Sequence, residues 1–158
     1  RIDEPDLAAR TGRDPRSLAS THRGHRTRMA DPFTKKKLTE VEDSAPKFGY
    51  GEIQQARFAN ADLDVEQAGM AYHRIAPDRR QAFGHRHDRA EEIYVVLSGA
   101  GRVKLDDEIV ELESLDAIRV GPGVTRSFEA GPDGLEYIAV GALADRDDFE
   151  ILQGWWAD

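Results

Sequence analysis

Apolar residues between positions 50 and 140 occur in short runs bounded by turn-forming residues, and their spacing is not that of an amphipathic helix. Eight of these runs predict β-strands, at residues 53–58, 70–76, 92–97, 102–105, 109–112, 117–120, 127–130 and 135–140. Eight short strands in about 90 residues are typical of an antiparallel sheet that closes into a barrel or forms a sandwich. We therefore expect an all-β fold, in the form of a small antiparallel β-barrel.

Glycine, proline and aspartate residues separate the predicted strands. Residues 106–108 predict a hairpin, and the Gly-Pro-Gly of residues 121–123 predicts a tight turn. The Gly-Pro-Asp-Gly of residues 131–134 predicts another turn. Helix-like spacing occurs in the last segment, residues 149–156, which contains both tryptophans. We expect this segment to form a flap that closes one end of the core, with half of a dimer contact as the alternative.

The first residues of the chain differ from the rest. Residues 1–28 have no apolar period of either kind and are interrupted by glycine and proline, which predicts a disordered segment. Because the chain begins with Arg and Met29 resembles an initiator, we interpret these residues as a leader or a non-native extension. Residues 29–49 form a polar lead-in, and residues 50–158 are expected to form the barrel domain.

Composition argues against several classes of function. The 158 residues, of which 39% are apolar, suit one core. The net charge of −8 repels a nucleic-acid backbone, so we expect no nucleic-acid partner. The longest uncharged stretch, residues 93–101, is far shorter than the roughly 20 residues of a membrane helix, so no membrane partner is expected. The absence of cysteine excludes thiolate chemistry and favours a cytoplasmic location.

Two histidines spaced by two residues, His85 and His87, are the main candidates for chemistry. On a strand this spacing directs both rings to one face, about 6.6 Å apart, where they can share one ion. Residues 88–90 can turn the chain so that Glu92 lies beside them, and strand alternation would then direct Tyr94 to the same inner face. Two imidazoles and a carboxylate suit Fe(II), Mn(II), Ni(II) or Zn(II). His73, by contrast, is interpreted as a core or rim residue.

The sequence from His85 to Gly99 resembles the first motif of the cupin superfamily, in which His-x-His is followed by Glu and then, six residues later, by Gly. Residues 115–130 align with the second cupin motif. The resemblance to single-domain cupins covers residues 52–141 and implies a double-stranded β-helix, the cupin jelly roll. It also implies a homodimer.

The second motif keeps Gly123 but departs from the family pattern at four positions: Leu115, Gly121, Arg126 and Ala130. A typical cupin metal centre has three histidines and one glutamate. The resemblance therefore implies three of the metal ligands, namely His85, His87 and Glu92. Arg126 stands where the family has its third histidine, so no fourth ligand is implied.

Arg126 has three possible roles, none of them metal ligation, because a guanidinium stays protonated and offers no lone pair. Its charge can weaken metal binding, it can pair with Glu92 in place of a metal, or it can bind a carboxylate or phosphate of a ligand. The last role predicts an anionic ligand, with Arg126, Tyr94 and Phe128 as ligand-binding residues. Whether a divalent metal is retained stays open at this point.

Three functions are compatible with these residues. The first is binding of a small, anionic molecule in the barrel mouth, with or without a metal. The second is an enzyme, either an oxygenase with a redox metal or an isomerase or decarboxylase with a non-redox metal. The third is a regulatory or structural cupin without catalysis. The identity of the metal would distinguish the two kinds of enzyme.

Overall fold

The structure is a computed structural model that describes residues 32–143 and 148–156. The predicted disordered segment, residues 1–28, lies outside the described residues. The strands are β1 Gln54–Phe58, β2 Ala68–Ile75, β3 Phe83–His87, β4 Glu92–Leu105, β5 Glu108–Glu113, β6 Ala117–Val120, β7 Arg126–Ala142 and β8 Phe149–Gln153. A short helix, α1, spans Asn60–Leu63, and 3₁₀ turns span Leu38–Glu40 and Ala45–Phe48.

The strands form one curled antiparallel sheet around a common core, which confirms the predicted all-β barrel fold. The two longest strands, β4 and β7, pair with each other along most of their length. One half of each lies in a layer ordered β1-β2-β7-β4-β6, and the other half lies in a layer ordered β8-β3-β7-β4-β5. The site described below lies where β3 faces the first layer.

Both long strands bend at a corner built from glycine. The register between β4 and β7 is irregular near Gly99 and Gly101, opposite residues 131–134. Gly99 has a φ of +78°, and a Cβ atom there would lie 2.0 Å from the carbonyl oxygen of Gly134. A Cβ on Gly101 would lie 2.2 Å from the carbonyl oxygen of Glu129. Side chains are therefore excluded where the two backbones cross, because any Cβ would overlap a carbonyl group.

This corner explains where strand prediction and structure differ. The predicted strands 92–97 and 102–105 are one strand, β4, and 127–130 and 135–140 are one strand, β7. The Gly-Pro-Asp-Gly sequence expected to form a turn is a bulge inside β7, since pairing with β4 continues on both sides of it. The hairpin predicted at residues 106–108 is present, with Asp106 at a φ of 49°.

Alternate residues of β4 and β7 point inward and form the core. Tyr94 and Val96 are almost fully buried, as strand alternation predicts. The Phe128 ring stacks on Tyr137 with their centroids 4.5 Å apart, and it lies 4.9 Å from the Tyr94 ring. Each side chain of this size contributes about 1.5–3 kcal/mol on burial, so this aromatic cluster is a main source of stability next to the site.

The C-terminal segment differs from the expected flap. Its first part is the strand β8, which pairs with β3. Trp155 then packs on Gly84, where an added Cβ would lie 2.6 Å from Cγ of the indole. Trp156 donates a hydrogen bond from Nε1 to Oγ of Ser127 at 2.8 Å. Gly84 and Ser127 alternate with the inward residues of their strands, so the tryptophans cover the outer face of the sheet and not an end of the core.

Residues 32–49, the described part of the predicted polar lead-in, cover the edge of β1. Val41 and Ala45 are buried there. The Asp43 carboxylate accepts hydrogen bonds from the backbone N–H groups of Ala45 and Ala56, at 3.0 and 2.9 Å. The edge strand is thereby protected from pairing with other chains.

Within residues 32–143 and 148–156, no helix has the length and apolar character needed to cross a bilayer. The cytoplasmic location stays a prediction.

Candidate metal and ligand site

The structure brings the three predicted metal ligands together. His85 and His87 lie on the inner face of β3, and Glu92 is the first residue of β4, after the turn of residues 88–90. One ligand atom from each residue lies within 4.8 Å of the others. This group of His85, His87 and Glu92 could hold a metal ion.

The distances within this group fit a shared ion better than hydrogen bonds. Oε2 of Glu92 lies 3.6 Å from Nε2 of His85 and 3.5 Å from Nε2 of His87. Both distances exceed the usual 2.7–3.2 Å of an N–H···O hydrogen bond. Two ligands about 2.1 Å from one tetrahedral ion are themselves about 3.4 Å apart. The Glu92 oxygen is therefore spaced from each imidazole nitrogen as two ligands of a single divalent ion would be.

Arg126 is paired with the carboxylate of Glu92. Its side chain is fully buried, and Nη2 donates a hydrogen bond to Oε2 of Glu92 at 2.5 Å. Its Nε donates to the hydroxyl oxygen of Tyr94 at 2.7 Å, and that hydroxyl donates to the same Glu92 oxygen. Of the roles considered for Arg126, pairing with Glu92 is the one that the structure shows.

These contacts set the charges of the site. Burial opposes ionisation of Glu92, but the nearby imidazoles, the Tyr94 hydroxyl and the Arg126 charge outweigh it and hold the Glu92 pKa well below its usual range. Burial and the neighbouring Glu92 charge raise the pKa of Tyr94. Glu92 is therefore an anion and Tyr94 a neutral hydroxyl, and the Glu92 and Arg126 charges cancel.

A cavity of about 620 Å³ adjoins the site, and only some of the predicted metal- and ligand-binding residues line it. His85, His87, Glu92 and Tyr94 belong to its wall. Arg126 and Phe128 do not, because both are fully buried and contact Tyr94 from the core. The remaining wall is mostly apolar and aromatic and includes Phe58, His73, Phe83, Tyr137 and Phe149.

Comparison with known proteins decides the family. Residues 71–141 match the family model described as a cupin domain. These residues form a cupin domain, and the chain has the cupin fold. A search of curated protein sequences finds no match.

Solved structures agree with this cupin fold. A cupin protein from Bacteroides fragilis is 21% identical, with a TM-score of 0.59, over 73% of this chain and 88% of that chain. Pac13, a nucleoside dehydratase, is 18% identical, with a TM-score of 0.60, over 75% of this chain and 90% of that chain. The similar structures also include a variant of Streptomyces Pac13 with uridine. The polyketide cyclase RemF from Streptomyces resistomycificus is 16% identical, with a TM-score of 0.60, over 77% and 84%. At these identities the likeness shows the fold alone.

Asp148 contacts the candidate metal ligand His87 and the turn before Glu92, although the sequence analysis did not single it out. Its backbone carbonyl oxygen lies 3.0 Å from Nδ1 of His87. If Nδ1 donates there, the Nε2 lone pair faces Glu92. The buried Asp148 carboxylate accepts hydrogen bonds from the backbone N–H groups of Arg89 and Ala90, at 2.9 and 3.2 Å. One residue thus fixes both a ring and the turn that leads to Glu92.

Replacing Asp148 by Ala should lower the affinity of this cupin for a divalent metal by about 10- to 100-fold, because it removes the carboxylate that holds the Arg89 and Ala90 N–H groups of the turn before Glu92, and loss of such a supporting partner weakens metal binding to that extent. Isothermal titration with Zn²⁺ or Mn²⁺ measures the change. Glu150→Ala is the matched control, since it removes a carboxylate from the same segment, one that pairs with Arg86 on the surface. Equal loss of affinity in both variants would contradict the orienting role of Asp148.

His73 lies in the cavity wall, with its ring stacked on Tyr137 at 5.0 Å between centroids. The sequence analysis interpreted His73 only as a core or rim residue. Phe149 also lines the cavity, 5.3 Å from the His85 ring and 5.6 Å from the His87 ring. Its position depends on the pairing of β8 with β3, for which the sequence contains no local signal.

Proposed function

We propose that this cupin binds a divalent metal ion through His85, His87 and Glu92 and holds a small molecule in the adjoining cavity. The observation that carries the proposal is the spacing of the three donor atoms at a common point in the cavity wall. A cavity of about 620 Å³ with mostly apolar walls and a few converging polar groups has the character of a small-molecule site.

The residues of this chain would prepare the site for a metal and for an anionic ligand. Burial lowers the pKa of His85, which keeps its ring neutral and its lone pair available. Because Arg126 already cancels the charge of Glu92, a bound dication would leave the site with a net positive charge. A bound metal would polarise a ligand oxygen. We therefore propose a ligand with an anionic oxygen that lies beside Tyr94 in the cavity, while Arg126 and Phe128 support Tyr94 from the core.

Metal analysis of untagged protein tests the proposal. We expect about one equivalent of divalent metal in the parent by elemental analysis, and none in His85→Ala or His87→Ala, because two donors bind far more weakly than three. His73→Phe is the control, since it changes a histidine of the same cavity outside the ligand group. Absence of metal binding by the parent, or full retention in both alanine variants, would contradict the proposal.

Catalysis is the second candidate function. The specific observation in its favour is that the Tyr94 hydroxyl and the Glu92 carboxylate share a hydrogen bond in the cavity wall beside two imidazoles. A non-redox metal at such a site could polarise a carbonyl for isomerisation or decarboxylation, and an oxygenase would require a redox metal. Iron as the bound metal would support the oxygenase, whereas zinc, nickel or manganese would support the non-redox reactions. A regulatory or structural cupin would also keep the Arg126–Glu92 pair but would bind neither metal nor ligand.

We also propose that two copies of this cupin associate through the outer face of β4 and β7. Four apolar side chains lie together there: Ile93, Val95, Ile138 and Val140. Ile93→Asp should convert a dimer to a monomer in light scattering after size exclusion, because it places a charge within that face. Ile109→Asp on β5 is the control, since Ile109 is 50% exposed and Ile93 is 43% exposed. A monomeric parent, or a dimeric Ile93→Asp variant, would contradict the proposal.

A further inference from the structure

A stack of three aromatic rings runs from the core to the cavity. Phe128 stacks on Tyr137 with an interplanar angle of 25°, and Tyr137 stacks on His73 with an angle of 18°. Phe128 lies outside the cavity wall, whereas Tyr137 and His73 belong to it. Phe58 meets the His73 ring edge-on, 5.9 Å away between centroids. The cavity wall next to this stack is therefore aromatic and is formed by Tyr137, His73 and Phe58.

One ring nitrogen of His73 lacks the hydrogen bond that a structural histidine ordinarily makes. Its Nδ1 atom is buried without a partner, and the other contacts of the ring are aromatic ones and one with the backbone of Gln55. Buried polar side-chain atoms are hydrogen-bonded in the large majority of cases. Burial, with a smaller contribution from His85, lowers the pKa of His73 to about 4. At neutral pH the ring is thus uncharged and can both donate and accept one hydrogen bond.

The neighbouring polar groups are already engaged. Nε2 of Gln81 donates to the Tyr137 hydroxyl at 3.3 Å, and the Gln81 side-chain oxygen accepts from the backbone N–H of Phe128 at 3.3 Å. The Gln54 side-chain oxygen accepts from the backbone N–H of Ala82 at 3.1 Å. These bonds hold the wall rigid around His73, which leaves His73 as a polar group of this wall with unused hydrogen-bonding capacity.

We propose that His73 selects the ligand of this cavity: it forms a hydrogen bond with a hydroxyl group on a planar ring that lies against the Phe58, His73 and Tyr137 side chains. The inference rests on the proposed function and names the chemical class of its ligand, a hydroxylated aromatic or heteroaromatic compound. Aromatic walls favour flat rings through stacked and edge-to-face contacts. The neutral imidazole then distinguishes a hydroxylated ring from an apolar ring of the same shape.

Titration with 2-naphthol and 2-methylnaphthalene tests the inference, because the two probes differ by a hydroxyl and a methyl group of similar size. The quantity compared is the ratio of the affinity for 2-naphthol to the affinity for 2-methylnaphthalene. We expect this ratio to be about tenfold larger in the parent than in His73→Phe, which is the effect of one hydrogen bond. His73→Phe keeps a flat ring and should still bind 2-methylnaphthalene. His73→Gln, which keeps hydrogen-bonding groups, should retain part of the preference for 2-naphthol and serves if His73→Phe does not fold.

The outcomes separate this inference from the proposed function. An unchanged preference in both His73 variants, or no binding of either probe by the parent, overturns the role of His73. Metal content is measured on the same samples. If the parent and His73→Phe both carry metal while the probes do not bind, the His73 inference fails and the metal site stands. If the probe preference depends on His73 but no sample binds metal, the His73 inference stands and the proposed metal site fails.

Discussion

Replacing Arg126 by Met should destabilise the metal-free protein by about 3 kcal/mol and strengthen metal binding on the order of 100-fold. The substitution removes the positive charge 2.5 Å from Oε2 of Glu92 and leaves that carboxylate largely buried without its partner. A dication at the same place would then meet a net negative site and no longer a neutral one. Saturating metal should restore most of the lost stability, because it binds the folded state alone. Urea unfolding with and without Zn²⁺ measures both effects.

The control for this variant is Arg126→Lys, which keeps the charge but not the planar fork of donors. Its metal affinity should stay near that of the parent, since charge and not geometry is the cause invoked. Weaker metal binding by Arg126→Met than by the parent would show that Arg126 supports the metal site and does not compete with the ion.

Gly99→Ala should cost more than about 4 kcal/mol of unfolding free energy or prevent folding, because the new Cβ would overlap the Gly134 carbonyl oxygen at the corner of β4 and β7. The measurement is the midpoint and slope of urea unfolding followed by circular dichroism. This effect should exceed that of any single surface substitution in the barrel.

Gly123→Ala provides a matched control for the corner. Gly123 has the same φ of +78° as Gly99, but nothing lies within 4 Å of an added Cβ. It should therefore show only the backbone cost of a left-handed conformation, about 1–2 kcal/mol. Similar losses in the two variants would mean that backbone strain, and not the crossing of the strands, makes Gly99 necessary.

The parts of the site that the sequence predicts are those fixed by local geometry. His85 and His87 share a face because strand side chains alternate, and Glu92 follows them after a short turn. The inward direction of Tyr94 follows from the same alternation. These relations span ten residues, from His85 to Tyr94, and need no knowledge of which strands pair.

The remaining parts depend on pairing between distant segments. Arg126 reaches Glu92 because its backbone pairs opposite His85, a register that no local pattern specifies. Asp148 reaches His87 because β8 pairs with β3, for example Phe149 with His87. The spacing of apolar residues at the C-terminus predicted a flap, since an edge strand with few inward positions has no clear alternation.

The docking of β8 has a practical consequence for handling the protein. The same strand leads from Asp148, which holds His87, to the tryptophans anchored on Gly84 and Ser127. A bulky tag or fusion close to these tryptophans would disturb their packing and, through β8, the position of the His87 ring. Affinity handles intended for metal studies are therefore better placed ahead of residue 32, or removed by cleavage before titration.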